Sequence, residues 1–200
     1  MGVTALLGGR FDPPHNGHVA LARAGQERFE PERFVVLVAA RPGHKDAVLD
    51  AETRLRLARA AFPDLEVELD EHPRTVDLLE ERRYPDPLFL IGADQFADFR
   101  SWKEPERVLE LARLGVGTRP GYPREPLEAV LDSLGHRDRV SFFEIEPLPI
   151  SSSAVRARAA AGEPIDLLVP PAVAEIDRKE GLYVAEQGYT IGDPRGSEPT

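Results

Sequence analysis

Two histidines three residues apart, His15 and His18, stand in the densest run of chemically capable side chains, Gly8-Gly9-Arg10-Phe11-Asp12-Pro13-Pro14-His15-Asn16-Gly17-His18. Imidazoles so spaced can donate hydrogen bonds to phosphate oxygens and stabilise charge developing there. Gly8 and Gly9, lacking Cβ atoms, would let backbone N–H groups come close to an anion. A helix opening near His18 would add further N–H groups and a positive dipole end. The run is not a Walker loop, since no Gly-Lys-Ser/Thr follows, and it lacks the three spaced glycines of a dinucleotide fingerprint. A His-x-x-His pair can also hold a metal, but no further His or Cys cluster completes such a site. The plain alternative is two surface histidines after a Gly-Gly turn.

A second constellation lies far along the chain, at Ile150-Ser151-Ser152-Ser153-Ala154-Val155-Arg156. Three hydroxyls and free N–H groups at a helix start make an anion site. Arg156, about one turn in, could bring a planar charged fork to the same anion. The plain alternative is an ordinary serine N-cap with a solvated arginine. Three more segments stand at the ends of apolar runs. Pro42-Gly43-His44-Lys45 offers Lys45 as a point charge for a phosphate, or as a solvated loop lysine. Gly92-Ala93-Asp94 opens a helix, with Asp94 either accepting from a ribose or capping that helix. Trp102, the only tryptophan, lies in the polar stretch Arg100-Ser101-Trp102-Lys103-Glu104. It is either core or a platform whose indole face attracts a flat cationic ring.

The elements that must position these residues alternate. Apolar β-rich runs cover residues 3–7, 34–40, 65–69, 88–91, 114–117 and 140–145. Short unbroken apolar runs fit strands covered on both faces, as in a parallel sheet. Helical patterns cover 18–29, 52–62, 75–83, 105–111, 152–161 and 171–180. Ser101 with Glu104 reads as a capping box ahead of Pro105. The pattern predicts an α/β fold, a Rossmann-like doubly wound parallel sheet with a helical C-terminal part. In such a sheet ligands bind beyond the carboxyl ends of the strands, where the first loop falls. Residues 1–184 read as the folded domain, and residues 185–200 as a loose tail.

Composition narrows the partners. The 200 residues carry a formal charge of −10 and no cysteine. That charge repels nucleic acid and anionic lipid as a whole, so neither is an expected partner. The absence of cysteine excludes disulfides and thiolate chemistry and is compatible with a cytoplasmic location, which is the expectation. The apolar runs are too short to span a bilayer, and the start has neither the basic stretch nor the long apolar stretch of a secretory signal. Leu6 stands where a myristoylation motif after Gly2 wants Ser or Thr. The sequence leaves the oligomeric state open.

The first run resembles the His-x-Gly-His signature of the nucleotidyltransferase superfamily, and most closely the bacterial nicotinate-nucleotide adenylyltransferases. Ile150–Arg156 is similar to that superfamily's second signature, with Ser153 in place of Thr. The run Ile91-Gly92-Ala93-Asp94-Gln95-Phe96-Ala97-Asp98-Phe99-Arg100-Ser101-Trp102 is similar to the family's Gly-x-Asp…Trp segment. Pro42 to Lys45 resembles its Pro-His-Lys step, and Thr118-Arg119-Pro120-Gly121 a further family segment. Together these span about Leu6 to Tyr183.

The resemblance implies joining of ATP and nicotinate mononucleotide to give deamido-NAD and pyrophosphate, with Mg²⁺ carried mainly by the ATP phosphates. It implies catalytic roles for His15, His18, Lys45 and Arg156. ATP contacts are implied for Gly8, Gly9, Phe11, Gly92 and Asp94, and for Ile150, Ser151, Ser152 and Ser153. Mononucleotide contacts are implied for Thr75, Trp102, Lys103 and Arg119. Arg10 stands where the family has a small Thr or Ser. Pro73 and Arg74 replace the Ser-Tyr that precedes the family's Thr; Arg74 either pairs with a substrate carboxylate or points to solvent, so the choice between nicotinate and nicotinamide stays open. Other acceptors or CTP within the superfamily, and a nucleotide-binding regulator without turnover, are the rival readings.

Overall fold

The structure, a computed structural model, describes residues 2–41 and 47–184. The expected catalytic Lys45 and the expected tail, 185–200, lie outside the described residues. The six expected strands are present: β1 Thr4–Gly9, β2 Arg33–Ala39, β3 Glu66–Asp70, β4 Pro87–Gly92, β5 Arg113–Thr118 and β6 Val140–Glu144. They form one all-parallel sheet in the order β3-β2-β1-β4-β5-β6. The helices are α1 Asn16–Phe29, α2 Ala51–Ala61, α3 Thr75–Glu80, α4 Ala93–Ala97, α5 Pro105–Leu111, α6 Glu125–Leu134, α7 Ser152–Ala160 and α8 Pro171–Glu180.

Strand periodicity builds the two core layers. Ala5, Leu7, Val36, Val38, Leu88 and Leu90 point to one face, beneath α1, α2, α7 and α8. Leu6, Val35, Leu37, Phe89, Ile91, Leu114 and Val116 point to the other, beneath α3 to α6. Alternate residues of each strand thus feed opposite cores, which is why the runs read as unbroken apolar stretches. The chain winds outward from β1 to β3, returns to β4 beside β1, and winds outward again. Its direction reverses between β1 and β4, so the loops leaving those strands part and open a crevice at their carboxyl ends.

Two local expectations are corrected. Ser101 does not cap α5: it closes a 3-10 turn, and its Oγ donates to the Asp98 carbonyl at 2.7 Å. The N-cap is Glu104, at φ 51°, and Pro105 in the first helical position has no N–H to be capped. Sequence patterning named no helix between the fifth and sixth strands, yet α6 is there. Its Leu127, Val130, Leu131 and Leu134 are buried and recur at helical spacing, which was the available signal. Among the described residues no helix is long and apolar enough to cross a membrane.

Candidate active site at the carboxyl end of the first strand

The loop after β1 enters α1 through a cap made by the histidines themselves. His15 is the N-cap in extended conformation, and its backbone N–H donates to Nδ1 of His18, the third helical residue, at 3.1 Å. A side chain at that position reaching back to the N-cap is the geometry in which Glu or Gln usually serves. The consequence is chemical. Because His18 Nδ1 accepts, the neutral ring carries its proton on Nε2 and presents a donor there. The two rings stack at 3.8 Å between centroids, with 27° between planes. Gly17 makes this possible, since a Cβ there would stand 3.0 Å from His15 Nδ1.

Both imidazoles are held neutral at pH 7. His15 is 8% exposed, and burial lowers its pKa to about 4. Burial, and then the neighbouring His15, hold His18 well below the ordinary imidazole value. Desolvation disfavours the charged ring, so both side chains are neutral imidazoles rather than cations. Nδ1 of His15 is buried without a hydrogen-bond partner.

The surroundings of the loop differ in part from expectation. The helix start is less open than a bare N-terminus, because Asn16 N–H donates to the Leu168 carbonyl at 2.9 Å and His18 N–H to the His15 carbonyl at 2.9 Å. Gly8 and Gly9 have a packing reason to be glycine: a Cβ would come within 2.8 Å of the Phe89 ring and 3.0 Å of the Phe11 ring. Phe11 itself is 1% exposed and lies edge-on to His18, centroids 5.0 Å apart. Its side chain is therefore a buried wall behind His18.

The two distant signatures meet. Ser152 Oγ donates to the Pro13 carbonyl at 2.9 Å, and Arg156 Nη1 donates to the Asp12 carbonyl at 2.7 Å. These bonds join residues 139 and 144 positions apart. The hydroxyls are not three equal anion donors. Ser151 is the N-cap of α7, accepting from Ala154 N–H at 3.1 Å; Ser152 is turned to the loop; Ser153 is exposed. Ile150 is half-buried, its carbonyl close to Gly17. Arg156 has five donors, of which Asp12 O takes one.

The remaining candidates form two groups. Gly92, not Asp94, caps α4, because the strand ends there in extended conformation. Asp94 in the first turn accepts from Tyr122 Oη at 3.0 Å, and Tyr122 N–H donates to the Arg119 carbonyl at 3.0 Å. Arg119 lines a cleft with Tyr122, Leu127 and Phe142. Trp102 is half-buried, edge-on to Phe89 and tilted against Phe99 at 5.1 Å. Lys103 Nζ pairs with Asp77 Oδ1 at 2.8 Å, which ties the Trp102 loop to the helix that Thr75 opens. Arg74 Nη1 donates to the neighbouring Pro73 carbonyl at 2.7 Å.

Three residues escaped the sequence reading as parts of the site. The Asp12 carboxylate, 1% exposed, accepts from Tyr183 Oη at 2.8 Å and from Val48 N–H at 2.6 Å. Burial and the Asp12 charge push Tyr183 far above the ordinary phenol range, so it stays a donor. Arg54 is 1% exposed beneath the same loop. Its signal was a charge on the apolar stripe Leu57, Ala58, Ala61 of α2; no local signal marks Tyr183. Among the described residues no three His, Cys, Asp or Glu side chains gather as a cation cage. Asp12 has both oxygens engaged, and the loop otherwise presents imidazole, hydroxyl and guanidinium, donors suited to anions.

Comparison with known proteins bears on the same residues. The model of the cytidylyltransferase-like family matches residues 6–158. A protein of Rubrobacter xylanophilus named "Probable nicotinate-nucleotide adenylyltransferase" is 34% identical over 94% of this chain and 95% of its own length. A namesake from Thermus thermophilus is 40% identical over 89% of this chain and 97% of its own. The solved Plasmodium falciparum nicotinic acid mononucleotide adenylyltransferase complexed with NaAD superimposes with a TM-score of 0.75. That match is 19% identical and covers 92% of this chain and 98% of the other, which establishes a shared fold. With its two signatures joined at one crevice and relatives alike over nearly its whole length, the chain belongs to the cytidylyltransferase-like nucleotidyltransferases, in the family of the nicotinate-nucleotide adenylyltransferases.

Proposed function

We propose that the chain transfers the adenylyl group of ATP to nicotinate mononucleotide, giving deamido-NAD and pyrophosphate, the chemistry named for its relatives. The observation that carries the reading is the joining of the His15–His18 loop to the Ser152–Arg156 segment through Pro13 and Asp12. A phosphate oxygen of the mononucleotide attacks the α-phosphorus of ATP in line. The bond between the α-phosphorus and the bridging oxygen breaks, and pyrophosphate leaves. Phosphate is already ionised near pH 7, so no general base is needed, and catalysis is positioning plus charge stabilisation.

His18 offers its Nε2–H, and His15 its imidazole, to the phosphate oxygens around the reacting centre. Neutral donors suit this task because they need release no proton as the product departs. Arg156 and Lys45 neutralise transferring and leaving phosphates. Magnesium enters with ATP as part of that substrate, since the donors around the loop suit phosphate oxygens rather than a resident cation. Ser151, Ser152, Ser153 and Ile150 frame the triphosphate from the far side. Gly92, Asp94 and, from its place beside Tyr122, Arg119 form the ribose and base side of ATP. Trp102, Thr75 and Lys103 form the mononucleotide side, where the indole stacks on the pyridinium and Arg74 lies one turn from the Lys103 partner Asp77. We assign the activity to residues 1–184 and place it in the cytoplasm.

The test is pyrophosphate release from ATP against nicotinate mononucleotide, nicotinamide mononucleotide and phosphopantetheine, with CTP as a substitute nucleotide. Turnover with ATP and nicotinate mononucleotide at least roughly tenfold above every other pair supports the reading. Preference for another pair, or binding of ATP without turnover, refutes it.

A further inference from the structure

Among the described residues Arg54 is the largest fully buried side chain, at 1% exposure. Its hydrogen bonds go to main-chain carbonyls. Nη1 donates to Arg10 O at 2.9 Å and to Ala39 O at 2.7 Å, Nη2 to Ala40 O at 3.2 Å, and Nε to Leu49 O at 3.1 Å. These carbonyls belong to three segments: the loop that carries the histidines, the end of β2, and the turn before α2. Burial disfavours the cation, and the fields of Asp12, Asp50 and Tyr183 offset this in part. An apolar residue on that stripe would fill the space without stranding a charge, so the position is costly as plain packing.

The fork does what an apolar residue cannot. It holds the Arg10 carbonyl, and a trans peptide then directs the Phe11 N–H the opposite way, away from the buried guanidinium. The same holds for the Ala40 carbonyl and the Arg41 N–H as the chain leaves β2. A planar guanidinium with five fixed donors can hold several carbonyls in one arrangement; an ammonium cannot.

We propose that Arg54 is a positioning residue for adenylyl transfer, fixing the backbone of the histidine loop in register with the segment leaving β2. The activity arm of its test rests on the reading above, and the exchange arm does not. Arg54→Lys keeps the charge and loses the fork. Its kcat with ATP and nicotinate mononucleotide falls roughly ten- to hundredfold, as expected for reactants held out of register. Amide hydrogen exchange across residues 8–14 speeds up, while exchange in β5 is unchanged. Leu109→Ala, buried in the opposite core layer, is the stability control, and it keeps kcat while its Tm falls.

A loss of kcat in Arg54→Lys no larger than that in Leu109→Ala, or unchanged exchange across residues 8–14, overturns the proposal. If Arg54→Lys does not fold, the wild-type protein decides through its guanidinium resonances. Separate Arg54 Nη–H signals that shift on adding ATP support the positioning role, and averaged signals that ignore ATP overturn it. A wild-type chain that releases no pyrophosphate defeats the adenylyl-transfer reading alone, because the exchange arm still judges Arg54.

Discussion

The buried imidazole of His15 should make the protein lose stability in acid before its carboxylates do. The folded ring titrates at about 4, against about 6.5 in an unfolded chain. Above pH 6.5 the ring is neutral in both states and contributes no pH dependence. Below it, the unfolded chain binds a proton that the folded chain refuses, so stability falls with pH until the folded ring titrates. The full gap is worth roughly 3 kcal/mol, and about 2 kcal/mol of it should be gone between pH 7 and pH 4.5. His18 acts in the same direction. The measurement is urea unfolding of the wild type and of His15→Gln at both pH values. Carboxylates titrate alike in the two proteins and cancel, so the variant should lose about 2 kcal/mol less on acidification. Equal losses, or a folded-state His15 ring signal titrating near 6.5, would refute the reasoning.

Other outcomes follow from the same geometry. His18→Ala should lower kcat by ~10²–10⁴-fold while far-UV circular dichroism stays unchanged, the span for losing one electrostatic donor; near-full turnover removes His18 from the reacting centre. Tyr183→Phe deletes the hydroxyl on the buried Asp12 carboxylate and should cost about 1.5–3 kcal/mol in denaturant melts. Trp102→Ala should raise KM for the mononucleotide with little change in KM for ATP, whereas equal changes in both would show that the indole only packs. Arg119→Ala should do the reverse, since its loop is tied to Asp94 through Tyr122.

The strands were legible because continuous apolar runs such as Phe34–Val38 have one stable use, burial on both sheet faces. His15 and His18 were legible because two imidazoles beside Gly-Gly at a strand end are a local pattern. What locality hides is partnership. The capping role of His18 depends on the extended backbone at His15, and the Ser151 to Arg156 segment spends two of its donors on Pro13 and Asp12, which no spacing rule brings near. The link from the Arg119 loop to Asp94 runs through Tyr122, across the loops after β4 and β5, and no spacing rule shows it. Arg54 and Tyr183 became site residues only when the chain closed over Asp12. The sequence by itself determined which groups could meet a triphosphate. The tertiary structure decided which donors are already used inside the protein, because each buried carbonyl and carboxylate must find a partner, and the nearest one in space is seldom the nearest in the chain.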